Sequence, residues 1–376
     1  MASGMYCAAR WARERDCVWP VIEARAPGKL VIVGEYAVLH GAPGISVAVD
    51  VCAVARLETR PGEDSELVIP DTGARFRFHW DHAGAPRWDD PAPGAPGLAL
   101  ESCIATLRAH QLLPQSGALP ACRIELDTAA FQGRDSSDRR IKLGLGSSAA
   151  ITVALMAALL PFLRAAPPSH EQLGALCMEA HRRLQGGGGS GIDVLTALAG
   201  GVISIGDVLG TAVSRETSLS WPEDLHMLPV WSGNSASTPA MLSRLQSYRE
   251  QQPTACASHM TRLGEIASHT LSAWRTKQTD AVLASLRSYA AALQALDRDA
   301  GIGIYSGGHE AMREIALAHG AVYKPSGAGG GDFGIALTAS CDVLAALRKD
   351  FAAHSYLCLA AGLCAPGLRV QSGHQG

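Results

Sequence analysis

The chain is predicted to fold as an α+β protein of two lobes. Strand-like and helix-like segments alternate along its 376 residues without the long parallel βαβ series of a doubly wound sheet. That length suits two domains at about 150 residues each. Three glycine-rich segments punctuate the alternation, and each carries a lysine in a chain that has only five lysines beside 27 arginines.

Val21–Ala24 and Leu30–Gly34 read as two short strands flanking a turn at Ala26-Pro27-Gly28-Lys29, and the Val/Ala-rich stretch Gly44 to Thr59 reads as a strand pair. Arg60 to Gly97 is polar and ends rich in proline, which predicts strands followed by an exposed loop. Leu98 to Gln111 has helical spacing, and Arg123–Leu126 reads as a short strand. Ser147 to Arg164 is a strong helix, with Ser147 and Ser148 expected as its capping residues. Glu171 to Leu184 is a second helix, ended by Gln185 and a run of four glycines, and Ile192 to Ala199 a short third. Gly200 to Ile205 and Leu225–Trp231 read as strands, the latter opening the second half. From Thr238 to Leu296 the pattern is helical, and His309 to His319 is a further helix. Ala321 to Lys324 leads into the third glycine segment, Gly334–Leu337 reads as a strand after it, and Cys341 to Phe351 is the last helix.

Composition narrows the function. Hydrophobic residues make up 47% of the chain, ample for a core, and the net charge of −3, with no basic stripe, excludes a nucleic-acid partner. The longest apolar runs stop short of the ~20 residues needed to span a bilayer, so no membrane partner is expected. Met1–Pro20 is charged and lacks the apolar core of a secretory signal; it reads as an N-terminal extension. Ten cysteines at irregular spacing, none in C-x-x-C, fit reduced thiols in a cytoplasmic protein and not a zinc site.

A lysine beside glycines suits phosphate chemistry, because glycine lets several N–H groups approach an anion and lysine neutralises it. In Lys142-Leu143-Gly144-Leu145-Gly146-Ser147-Ser148-Ala149 the glycines open the best helix of the chain, where unpaired N–H groups and the helix dipole favour a phosphate and serine oxygens can reach Mg²⁺. An ordinary capped helix after a tight turn is the other reading. The same stretch matches G-x-G-x-x-A, but a charged loop precedes it and no acid follows until Glu171, which disfavours a dinucleotide site. Asp193, in Gly189-Ser190-Gly191-Ile192-Asp193, is placed either as a base or metal ligand or as a plain N-cap. Lys324-Pro325-Ser326-Gly327-Ala328-Gly329-Gly330-Gly331-Asp332 is a second anion cradle or a flexible hairpin loop. Trp231 to Thr238 holds the single asparagine, Asn234, among hydroxyls.

Together these segments resemble the GHMP small-molecule kinases. Ala26-Pro27-Gly28-Lys29 with Gly34-Glu35-Tyr36, Gly144 to Ala150, and Lys324 to Asp332 are similar to that family's three hallmark segments, in order, across nearly the whole chain. Ala180-His181, Gln185-Gly186, Gly189 to Val194, Trp231-Ser232-Gly233 and Ala236-Ser237-Thr238 are most similar to members that phosphorylate 5-phosphomevalonate. Glu35 to Gly41 is more similar to those that phosphorylate mevalonate.

The resemblance implies an N-terminal α/β lobe of the ribosomal S5 domain 2-like type over residues 21–222. It implies a ferredoxin-like lobe over 223–370, a cleft between the two, and a monomer or homodimer. It implies Asp193 and Lys29 as catalytic residues. Lys142, Gly144, Leu145, Gly146, Ser147, Ser148 and Ala149 would bind ATP, with Ser147 also on Mg²⁺. On the substrate side it implies His181, Ser190, Gly191, Ser237, Thr238, Lys324, Ser326, Gly327, Ala328, Gly329 and Gly330. Another family member acting on a small alcohol is the first alternative, and a catalytically inactive ligand sensor the second.

Overall fold

The computed structural model describes residues 21–373 apart from 63, 90, 92, 115–118, 135–139, 188–189 and 207–217. The expected extension before Val21 and most of the charged loop before Lys142 lie outside the described residues.

The two expected opening strands are one, β1 (Val21–Val33), and the expected strand pair after it is a single strand, β2 (Gly44–Thr59). The Pro27-Gly28 step that reads as a turn is absorbed as a register shift: Pro27 lies opposite Cys52 and Gly28 opposite Val49. Proline has no N–H to give a ladder, so the irregularity falls where it is least costly. Next come β3 (Ser65–Ile69), β4 (Ala74–Trp80), β5 (Pro86–Trp88), helix α1 (Ala95–Ala109) and β6 (Cys122–Asp127). The hairpin β7 (Gln132–Arg134) and β8 (Arg140–Lys142) leads into α2 (Ser147–Phe162). Then follow α3 (His170–Leu184), α4 (Ile192–Ala199), β9 (Val202–Ile205) and β10 (Ser218–Leu219).

β2 is the spine of the first sheet. β1 lies along one edge, while the other edge takes β9 on its first half and β6 on its second. α2 packs on β1 and β2, and nearly every side of it is buried. Its alanine-rich, all-round apolar sequence requires such a place.

The second lobe runs β11 (His226–Trp231), α5 (Thr238–Gln251), α6 (Pro253–Arg275), α7 (Thr279–Ala300), α8 (His309–Ala318), β12 (Val322–Pro325), β13 (Phe333–Thr338), α9 (Cys341–Ala353) and β14 (Leu357–Cys358). Its sheet has the antiparallel order β12-β13-β11-β14, the ferredoxin-like arrangement. The helical pattern from Thr238 to Leu296 is carried by three helices. Pro253 forces the first break, because the residue before a proline is pushed out of the helical region, and Lys277 at φ 53° marks the second.

After Leu359 the chain returns to the first lobe. Asp50 donates to the Gly362 carbonyl, Gly201 to that of Ala365, and β15 (Arg369–Gly373) pairs with Val21–Arg25. The tail that the sequence assigns to the second lobe thus completes the first sheet. Among the described residues no helix is long and apolar enough to cross a membrane. All eight described cysteines are free, and burial pushes the Cys103 and Cys122 thiols up to about 12.

Candidate active site

The first and second glycine segments touch. Lys29 N–H donates to the Leu145 carbonyl at 2.9 Å, and a methyl on Gly28 would meet that carbonyl oxygen and the Phe131 ring, each at 2.8 Å. Gly28 is therefore needed for close approach to the second segment and not for a turn of its own.

The cap of α2 differs from expectation. Gly146, left-handed at φ 82°, is the N-cap, with no side-chain capping bond; Ser147 and Ser148 are the first two helical residues. The first backbone bond of the helix runs from Ala150 N–H to the Gly146 carbonyl, so the N–H groups of Ser147, Ser148 and Ala149 have no partner in the helix. Three such donors at the positive end of a helix are an anion seat.

Asp193 is likewise not an N-cap. Gly191 caps α4, and Asp193 is its second residue, one-fifth exposed. A methyl on Gly146 would lie 3.4 Å from Lys29 Cγ and 3.7 Å from Asp193 Cβ, so the stems of the lysine and the aspartate flank the phosphate-type loop. Behind them His181 is buried, its Nε2 3.2 Å from Ser148 Oγ and 3.9 Å from Asp193 Oδ2. A methyl on Gly327 of the third segment would lie 3.7 Å from Lys29 Nζ, which puts the ammonium between the two glycine loops.

Of these residues Lys29, Asp193 and Gly327 line a cleft of about 190 Å³ between the lobes, and the Gly144 to Ala149 segment and His181 stand outside its lining. Lys29, Gln185, Ser190, Asp193, Thr238, Gly327 and Ala328 supply its polar and backbone groups, and Val31, Val38, Leu39, Ile192 and Leu242 its apolar wall.

Other expected residues stand elsewhere. Lys324 is fully buried and donates to the Glu35 carboxylate and the Pro325 carbonyl, so its ammonium does not face the cleft. Burial pulls that ammonium below the ordinary lysine value, against the opposing pull of Glu35. Ser326 Oγ accepts from Val31 N–H at 2.8 Å and donates to the Val31 carbonyl at 3.0 Å, tying the loop to β1. Gly329 packs on the Ile304 carbonyl and Gly330 on Met241. Lys142 and Ser237 are exposed outside the lining.

Sequence reasoning passed over three residues as site members. Glu35 lines the cleft and has one carboxylate oxygen, Oε2, without a hydrogen-bond partner. Asp332, in the left-handed region at φ 58°, lays its carboxylate against Gly144; burial raises its pKa, opposed by the Ala236 N–H, Lys29 and Lys142. His309 is buried and bridges the Tyr323 hydroxyl at 2.7 Å and the Gly331 carbonyl at 2.8 Å. An acid just past an apolar strand is the available signal for Glu35; nothing local marks His309.

Among the described residues no three His, Cys, Asp or Glu side chains converge to hold a metal by themselves. The Ser147 hydroxyl and Asp193 carboxylate suit Mg²⁺, which commonly takes one or two protein ligands beside substrate phosphates and water.

A two-lobed fold with an uncapped helix N-terminus, a lysine and a carboxylate in the cleft defines a phosphate-handling protein. Residues 107–201 match the family described as GHMP kinases N terminal domain. A phosphomevalonate kinase of Streptomyces sp. (strain CL190) is 31% identical over 343 residues, 84% of this chain and 89% of that one. A mevalonate kinase of Schizosaccharomyces pombe is 26% identical over 249 residues, 61% of each chain. The structure of Streptococcus pneumoniae phosphomevalonate kinase in complex with phosphomevalonate and AMPPNP aligns with a TM-score of 0.69 at 18% identity, covering 91% of this chain and 99% of that one. The chain belongs to the GHMP kinases.

Proposed function

We propose that the protein transfers the γ-phosphoryl group of ATP to 5-phosphomevalonate, yielding 5-diphosphomevalonate and ADP. The observation that carries the transfer is the position of Lys29, whose stem lies beside Asp193 at the second glycine loop and whose ammonium reaches the third. The likeness to the Streptomyces phosphomevalonate kinase over most of both chains supports the acceptor.

In this reading the free N–H groups of Ser147, Ser148 and Ala149 hold nucleotide phosphates. Mg²⁺, when bound at Ser147 and Asp193, supplies charge neutralisation on the phosphates. Lys29 offsets the charge that builds on the transferred group, and Asp193 orients Lys29 and the acceptor oxygen. Backbone of Gly327 and Ala328 faces the acceptor, and the apolar wall of Val31, Val38 and Ile192 excludes water. Positioning and preorganised charge supply most of the acceleration in such transfers.

Mevalonate is the second acceptor reading. Lys29 is the one cation lining the cleft among the described residues, and Glu35 to Gly41 has the mevalonate-kinase character. An ADP-release assay with Mg-ATP, run in parallel on (R)-5-phosphomevalonate and (R)-mevalonate, decides between them. Turnover with the first alone is expected; turnover with mevalonate alone would reverse the assignment, and no turnover with either would leave another small alcohol.

A further inference from the structure

The geometry points to His181 as a positioning residue that sets the direction of the Ser148 hydroxyl, and not as a contact for the acceptor. This inference rests on the nucleotide seat proposed above. Two oxygen groups approach the same ring nitrogen of His181: Ser148 Oγ at 3.2 Å and Asp193 Oδ2 at 3.9 Å. The imidazole is 4% exposed and lies behind both, so it has no open path to a ligand in the cleft.

The choice of tautomer follows from the carboxylate. A lone pair on Nε2 would face the Asp193 oxygens, whereas an N–H there is attracted to them. Nε2 therefore carries the hydrogen and donates to Ser148 Oγ. That bond occupies an oxygen lone pair and leaves the serine O–H free to donate. Ser148 is the second residue of α2, among the unpaired N–H groups. Its hydroxyl then adds one more donor toward an anion at the helix end. With the opposite tautomer the serine would spend its hydrogen on His181 and present a lone pair to the phosphates. Asp193, by holding the His181 proton on Nε2, also makes the nucleotide seat sensitive to the residue that orients the acceptor.

The test is a double-mutant cycle read by AMPPNP binding, without turnover. His181→Ala is expected to weaken AMPPNP by about tenfold, the worth of one donor to a charged group. Ser148→Ala should cost a similar factor, and the double variant should be no weaker than Ser148→Ala alone. His181→Gln, whose amide N–H keeps a donor in reach, should stay within about threefold of the parent. Thermal melts of all four variants identify any that fail to fold, and the glutamine variant then carries the comparison. Losses that multiply in the double variant, or unchanged affinity in His181→Ala, would overturn the assignment while leaving the kinase reading intact. Absence of AMPPNP binding by the parent chain would overturn both.

Discussion

Glu35 and Lys324 meet across the seam between the two lobes, each almost completely sealed from water. Glu35 stands in the turn two residues after β1, and Lys324 lies in β12 of the ferredoxin-like sheet. Tyr289 of α7 adds a hydroxyl to the Glu35 carbonyl at 2.8 Å, and Gly327 N–H lies 3.4 Å from the same carboxylate. The pair therefore fixes the first glycine segment to the third, and with it the side of the cleft on which Lys29 stands.

Removing one partner leaves a buried charge uncompensated. Lys324→Met is expected to cost about 3–5 kcal/mol, and Glu35→Gln/Lys324→Met together less than Lys324→Met alone. Urea unfolding midpoints check this. Additive losses would show that the two side chains do not work as a pair.

His309 makes stability pH-dependent on the acid side. Burial lowers its pKa to about 4, and the nearby Lys324 charge adds to this while the Gly331 carbonyl opposes it. The unfolded chain takes up the proton near pH 6.5, so between pH 6.5 and 4 the unfolded state binds more protons than the folded one. Stability falls through that window by about 3 kcal/mol from this group alone, and the contribution is constant above it. In His309→Gln the acid limb of the unfolding curve should flatten by that amount; an unchanged limb would place the titration elsewhere.

Asp193→Asn tests what the carboxylate does. An acceptor that is already a phosphate needs little proton removal, so the loss in kcat with 5-phosphomevalonate is expected to stay below about tenfold. A fall of three or more orders of magnitude would make Asp193 a base in earnest. Lys29→Met should cost about a hundredfold or more with either acceptor, since it removes charge from the transferred group.

Gly144→Ala should disable the nucleotide seat. The residue sits at φ 70°, and an added methyl would lie 2.1–2.5 Å from the Asp332 side chain. Strain of about 1–3 kcal/mol is expected, with AMPPNP affinity falling further than stability. Gly144→Ala/Asp332→Gly should recover part of both; no recovery would mean that the backbone conformation alone is at stake.

Much of the architecture is legible along the chain. The α+β class and the helices α2, α3, α4, α8 and α9 follow from apolar spacing, because a buried face repeats in sequence. Glycine beside charge marks Lys29 and Gly144 to Ala149 as candidates, while the residues alone leave Asp193 open between a functional carboxylate and a cap. What fails are the places where distant partners decide. A proline-glycine step reads as a turn until a second strand runs past it, and Pro27-Gly28 is a bulge within β1 because β2 does so. Ser147 reads as a cap until Gly146 takes the left-handed conformation instead. The stretch up to residue 370 is assigned to the second lobe, yet after Leu359 the chain returns to the first, where Arg369–Gly373 pairs with β1.

Residue type and spacing by themselves determine that this chain carries three glycine segments suited to phosphate, a lysine in each, and apolar helices to support them. Tertiary structure alone decides which of the charged groups face the cleft. Lys29 and Lys324 stand in similar sequence surroundings, yet one ammonium reaches between two glycine loops while the other is enclosed against Glu35. The difference comes from packing. A charge shut away from water needs a fixed counter-charge, and only the meeting of β1 with β12 across the lobes provides one.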